Sequence, residues 1–174
     1  HVTDTPIIDD NGQMIGIIGV SYDVTERKIE EEKLKRSEDE LAAIYKNAPM
    51  VMMLVDKERR VCKINAYGAK FAGSSTNNII GLRGGEALRC LHHLDDPNGC
   101  GYGPYCDDCT VRNTVLDTFE TSNPHHMVEA TLPFSVDGED KYLTFLVSTE
   151  LLHIDGEPRV LVSFLDITER KYME

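Results

Sequence analysis

Apolar and polar positions alternate along "MVEATLPFSV". Val128, Ala130, Leu132, Phe134 and Val136 fall on one side. A period of two predicts a half-buried strand. "KYLTFLVSTELL" repeats the pattern, with Leu143, Phe145 and Val147 facing one way and Thr144, Ser148 and Glu150 the other. Asp137-Gly138 between these runs predicts a tight hairpin, because the primed turns that suit strand twist need positive φ. "RVLVSFLDI" follows Asp155-Gly156 and is apolar on both faces, as expected of a central strand. Upstream, "MVMMLVD" and "VCKIN" read as strands joined by the turn "KERR", with Cys62 and Ile64 on one face. That pattern makes Cys62 a plain buried cysteine. "AYGAKFAG" and "NNIIGLRGGEALRC" read as short helices broken by glycines. In "TVRNTVLDTFETS", Val111, Val115 and Phe119 recur at four-residue spacing and predict a longer helix. The order is two strands, short helices, one longer helix and three hairpin-linked strands. That is an α+β order, with an antiparallel sheet and helices across one face.

Part of the chain occurs twice. "DVTERK" at residues 23–28 matches "DITERK" at 166–171. "IIDDNGQMIGIIGVSYDVTERK" and "LLHIDGEPRVLVSFLDITERK" share one plan of strand, turn, strand and charged stretch. The simplest account is a repeat of modules cut so that one is whole. Residues 1–24 are then the closing hairpin of a preceding module, 49–167 a complete module and 168–174 the start of an exit helix. Residues 25–48 connect them as a helix without Gly or Pro, ended by Pro49. Leu34, Leu41 and Ala48 recur every seven residues with Ile44 on the same stripe. Two readings stand: a two-stranded coiled coil making a homodimer, and an amphipathic helix on the module's own sheet. Ser37 and Glu40 have capping-box spacing, which would break the helix there.

Composition narrows the function classes. In 174 residues, 41% hydrophobic content supplies a core, and the formal net charge of −12 repels nucleic acid and anionic membrane. No run reaches the roughly 18 apolar residues of a bilayer span. The opening "HVTDTPIIDD" is polar and carries no signal-peptide pattern. Without an initiator Met, the chain reads as an internal piece of a longer protein. Five cysteines do not make a secreted disulfide scaffold. A reducing, cytoplasmic location is the expectation.

Taken together, these stretches resemble the PAS sensor-domain family. "NAPMVMMLVDKERRVCKIN" is similar to its opening strands, "AYGAKFAG…NNIIGLRGGEAL" to its short helices, and "LVSFLDITERK" to its exit into a linker helix. The resemblance covers about residues 43–171, and residues 1–28 resemble the last hairpin of another such domain. It implies a five-stranded antiparallel sheet, a ligand cavity between sheet and helices, and dimerisation through flanking helices. It also implies a sensory or relay role in a multi-domain signalling protein, most often a sensor histidine kinase. Haem-binding members carry an axial His on the long helix, and "TVRNTVLDTF" has none. Flavin-binding members use an "N-C-R-F" type motif, whereas here Arg89 precedes Cys90 and the Asn is missing. Neither haem nor flavin is expected.

The candidate chemistry lies in four cysteines, spaced Cys90-x9-Cys100-x5-Cys106-x2-Cys109 among Gly99, Gly101 and Gly103. The closing C-x2-C is a good chelating pair, so four thiolates can hold zinc or an iron–sulfur cluster. After that reading come a thiol–disulfide pair and, last, structural thiols. The spacing matches neither ferredoxin runs nor zinc ribbons. His92 and His93 flank the group as further candidate ligands; His125 and His126 precede a strand. No phosphate loop, ATP-binding box, "HEXXH" or "GXSXG" occurs, so no catalytic activity is expected of this segment.

Signal coupling is the second candidate. Asp166 and Thr168 stand where the last strand passes into a helix, and either side chain can accept from the free N–H groups of its first turn. Asp23 and Thr25 repeat them in the first copy.

Overall fold

The computed structural model describes residues 1–173. Contacts divide the chain into two units, His1–Ala43 and Ile44 onward.

In the first unit β1 (Val2–Ile8) and β2 (Met14–Ser21) form an antiparallel hairpin, followed by the start of α1 (Thr25–Asn47). The turn differs from a two-residue primed one. Asn11 is not among the positive-φ residues, whereas Gly12 has φ 80°. The Asp9 carboxylate accepts from the N–H groups of Asn11 and Gln13 at 2.9 and 2.8 Å, closing a longer loop. α1 continues through Ser37 without a break. Good helix formers on both sides outweigh a cap that has nothing to start.

The second unit carries β3 (Val51–Val55), β4 (Val61–Ile64), α2 (Ala66–Ala72), α3 (Thr76–Ile79), α4 (Gly84–Leu88) and α5 (Thr110–Thr121). β5 (His125–Val136), β6 (Glu139–Ile154), β7 (Glu157–Asp166) and α6 (Thr168–Met173) complete it. The sheet is five-stranded and antiparallel throughout, in the order β4-β3-β7-β6-β5. β7 is central, as its two apolar faces require. Asp137 and Gly138 have φ 53° and 80°, and Asp155 and Gly156 have 53° and 79°. Both hairpins therefore use the expected primed geometry.

The core lies on the helix side of the sheet. Val160, Val162 and Phe164 of β7 are buried beside Phe145 and Val147 of β6 and Met53 of β3. Phe71 of α2 stands edge-on to Phe134 and Phe145 at 5.6 and 5.8 Å. Such pairs add to their area burial. α5 closes the layer with Val115, while its Thr118 hydroxyl meets that of Thr149 at 2.8 Å, both groups buried.

One strand departs from simple alternation. Leu54 pairs with Lys63 and Val55 with Val61, so Cys62 is an extra residue in β4. The bulge turns Cys62 out: Val61 and Ile64 are buried, and Cys62 is exposed. The expectation of a buried Cys62 is thereby corrected.

Candidate functional site

The cysteine loop is held at both ends. α4 stops at Arg89, which has φ 62°. The backbone of Cys90 then makes an antiparallel bridge with Phe134, stitching the loop to the edge strand β5. After the short 3-10 turn Leu91–Leu94 the chain loops out and returns at Cys109, the residue before α5. The Cys109 carbonyl accepts from Asn113 N–H at 2.9 Å, starting that helix. Within the loop, Cys106 N–H donates to Gly103 and Cys109 N–H to Cys106, at 3.0 and 3.2 Å.

Two contacts set where Cys100 and Cys106 sit. The Glu86 carboxylate accepts from Cys100 N–H at 2.9 Å, and Gly101 N–H donates to Cys106 Sγ at 3.2 Å. Gly85 permits the first. A Cβ there would stand 2.7 Å from Cys100 Cβ. Gly101 has φ 97°, and its missing side chain leaves room for the Arg59 guanidinium.

All four predicted cysteines come to one cleft of about 220 Å³, together with His92, His93 and Tyr105. Cys90 and Cys106 are buried, Cys100 and Cys109 half-buried, and none is in a disulfide. Cys90, Cys100 and Cys109 also line a second, apolar cavity of about 70 Å³, walled by Met53, Leu88, Val111, Val115, Phe134 and Phe164. These three cysteines are thus shared by the cleft and the cavity. Burial pushes the Cys90 thiol up to about 12, and its neighbours Cys109, Cys100 and Cys106 add to the shift. Burial raises Cys100 too; Glu86 and Cys106 add to this and Arg59 opposes it. Both groups are therefore thiols at neutral pH.

The donor set suits a soft metal. As placed, however, no group of three or more His, Cys, Asp or Glu among the described residues is arranged to hold a metal ion. The histidines have other partners. His92 Nδ1 meets Asp95 at 2.8 Å and its ring stacks on Tyr105, while His93 Nδ1 lies 2.6 Å from the Cys90 carbonyl. His125 pairs with Asp117 at 2.7 Å, away from the cleft.

No family model and no curated protein matches the chain. Solved structures do. The PAS domain of an HTR-like protein from Haloarcula marismortui aligns with TM-score 0.52 at 18% identity, covering 80% of this chain and 99% of that one. The PAS domain of nitrogen regulation protein NR(II) from Vibrio parahaemolyticus gives 0.51 at 14%, covering 72% and 96%. The second unit has the PAS fold. A domain of the sensory box sensor histidine kinase/response regulator from Geobacter sulfurreducens is also similar, at TM-score 0.50, 17% identity and coverage of 76% and 96%.

The PAS sheet is joined to α6 through the second predicted site. Asp166 accepts from the N–H and hydroxyl of Thr168 at 2.9 and 2.6 Å. The Thr168 hydroxyl accepts not from its own helix but from Thr144 N–H on β6, at 2.9 Å. Ile167 N–H donates to the Thr144 carbonyl at 2.9 Å. One residue of β6 therefore grips the first turn of α6 from both sides. In the first unit Asp23 accepts from Thr25 N–H at 2.8 Å, and the Thr25 hydroxyl and this N–H together lower its pKa. The repeat is thus one of local geometry as well as of letters.

Sequence reading did not find Thr144 or Asn65. Asn65 is 1% exposed and caps α2 by accepting from Gly68 N–H. Its position directly before the "AYGAKFAG" helix is the signal that could have found it.

Proposed function

We propose that the PAS unit is a sensory and relay module of a multi-domain signalling receptor, with the four-cysteine cleft as a redox input and α6 as the exit. The observation that carries this is the double position of Cys90, Cys100 and Cys109, which line both the cysteine cleft and the apolar cavity. A disulfide between any two of the four ties up at least one residue of that shared wall. Cys90 lies on the backbone bridge to β5, which pairs with β6, and β6 holds α6 through Thr144. Solved neighbours described as a nitrogen regulation protein and a sensory box sensor histidine kinase/response regulator support the signalling role.

In this reading a low-molecular-weight disulfide oxidises two protein thiols. The two thiols lose two protons and two electrons to form one S–S bond, and the oxidant becomes two thiols. The site is a cytoplasmic one, where such thiols are kept reduced at rest. Zinc or an iron–sulfur cluster on the same thiols would need the loop to draw closer. The chain itself performs no catalysis in this account.

The test is disulfide mapping of the full chain by mass spectrometry after exposure to oxidised glutathione. The expected product is a bond within the set Cys90, Cys100, Cys106 and Cys109, with Cys62 outside it. Four free thiols after prolonged oxidation would refute the redox input.

One observation favours a second role. Leu34, Leu41 and Ile44 of α1 are 62%, 64% and 63% exposed. A matching helix of a second copy would cover this stripe, making a homodimer that relays through α1. Residues 1–24 are then the closing hairpin of a preceding PAS module.

A further inference from the structure

Two charged side chains fasten the cysteine loop to α4, and each is left with one atom unsatisfied. Arg83 is the cap residue of α4. Its Nη1 donates to the Asn98 carbonyl at 3.1 Å and its Nη2 to the Tyr102 hydroxyl at 3.2 Å. The guanidinium also lies 4.9 Å from the Tyr102 ring centre. Glu86, three residues on, accepts from Cys100 N–H at 2.9 Å. Arg83 Nε and the other Glu86 oxygen are buried and have no hydrogen-bond partner among the described residues. Buried polar groups are costly to leave unmet. These two are natural partners for each other. Side chains three residues apart at a helix start meet, and the third helical residue is the one whose carboxylate reaches back to the cap in a capping box. The loop as it lies therefore engages two opposite charges that do not engage each other.

The segment they hold can move as a piece. It carries bonds of its own: Gly99 N–H donates to Asp96 and Tyr102 N–H to Gly99, at 2.9 and 3.3 Å. Gly99 and Gly101, on either side of Cys100, have φ 82° and 97°, a region open to glycine. An open cleft of about 450 Å³, lined in part by Glu86, Leu94, Asp96 and Asn98, lies beside it. The start of α4 is the fixed partner. The Arg83 backbone bridges to Arg60, and Val61 N–H on β4 donates to the Leu82 carbonyl at 2.8 Å.

We infer that residues 98–102 are a strap with two states. In the closed state Arg83 and Glu86 grip the strap. In the open state they pair with each other, and Cys100 is uncovered. Strap opening then sets how readily an oxidising disulfide reaches that thiol. As regulation of the redox input the inference rests on that reading, but the two-state strap itself needs no oxidation.

The test is hydrogen exchange at the Cys100 amide, followed by NMR in the reduced full chain, for wild type, Arg83→Lys and Glu86→Gln. The Val61 amide on β4 is the reference in each sample and reports whether the variant is folded. Lysine can still pair with Glu86 but cannot hold Asn98 and Tyr102 together. Cys100 should then exchange about fivefold faster, the effect of losing one hydrogen bond. Glutamine can still accept from Cys100 N–H but cannot form the open-state ion pair. Exchange should then slow about twofold, the contribution of a helix ion pair. A fixed clamp predicts the opposite sign in Glu86→Gln, because there the substitution only weakens the grip. Unchanged or faster exchange in folded Glu86→Gln would overturn the strap, as would no acceleration in Arg83→Lys. If the glutamine variant does not fold, wild type decides. Added sodium chloride screens the open-state pair and should slow Cys100 relative to Val61; no slowing overturns the proposal. Disulfide mapping with oxidised glutathione reads the redox input separately, so either can fail while the other stands.

Discussion

Asn65 ties the end of α1 to the sheet through Tyr45: its side-chain amide donates to the Tyr45 carbonyl at 3.2 Å. The same amide donates to Met50 at 2.9 Å, and its oxygen accepts from Met52 N–H at 3.1 Å. Tyr45 answers with a hydroxyl bond to the Met52 carbonyl at 3.3 Å, while burial pushes its phenol up to about 12. One buried amide therefore fixes where the entering helix ends, where β3 begins and where α2 starts. Asn65→Ala leaves several backbone groups unpaired in the core. The expected loss is about 2–4 kcal/mol in urea unfolding, the range for breaking a buried network. A loss under about 0.5 kcal/mol, typical of a surface site, would contradict this role.

At the other end, Thr168→Val keeps the shape and removes the hydroxyl that Thr144 N–H uses. The expected result is faster hydrogen exchange at the Thr144 amide and a loss of about 1 kcal/mol. Thr168→Ser should behave as wild type. Unchanged exchange in the valine variant would show that α6 is held by other contacts.

Gly85→Ala sets two effects against each other. Helix propensity favours Ala by about 1 kcal/mol. The new Cβ would stand 2.7 Å from Cys100 Cβ and 2.8 Å from its Sγ, and overpacking of that kind costs about 1–3 kcal/mol. The clash should win or draw in stability, and it should displace Cys100. Alkylation of Cys100 by iodoacetamide, followed by peptide mass, should therefore speed up.

The thiols also set a pH dependence. The Cys90 thiol rises from its ordinary 9.0 to about 12 on folding. The unfolded thiol thus releases its proton first as pH rises. The stability contributed by the neutral thiol is intact below about pH 9 and is lost between 9 and 12. In Cys90→Ala this part of the alkaline loss should disappear from urea midpoints measured across that window. An identical alkaline slope in both proteins would contradict the assignment.

Much of the fold was legible because period-two patterning and Asp-Gly turns act locally. Val128 to Val136 and Leu143 to Val147 show their buried faces in the letters alone. Cys62 was misread because a bulge depends on the partner strand, and β4 is too short for its own pattern to reveal it. Ser37 misled for the opposite reason, since a capping signal inside strong helix formers has no helix end to cap. The four cysteines were visible as a group. Their place on the ligand side followed only from the family resemblance, not from spacing, because it depends on α4, β5 and α5 meeting across long stretches of chain.

The central claim is that the state of the thiols reaches α6. Hydrogen exchange of the full chain, reduced and then oxidised with the disulfide confirmed by mass, tests this most directly. The account predicts altered exchange at the Ile167 and Lys171 amides, which bond to Thr144 and Ile167 at 2.9 and 3.0 Å, alongside the expected change at the loop. Altered exchange confined to the cysteine loop, with both of those amides unchanged, would contradict it.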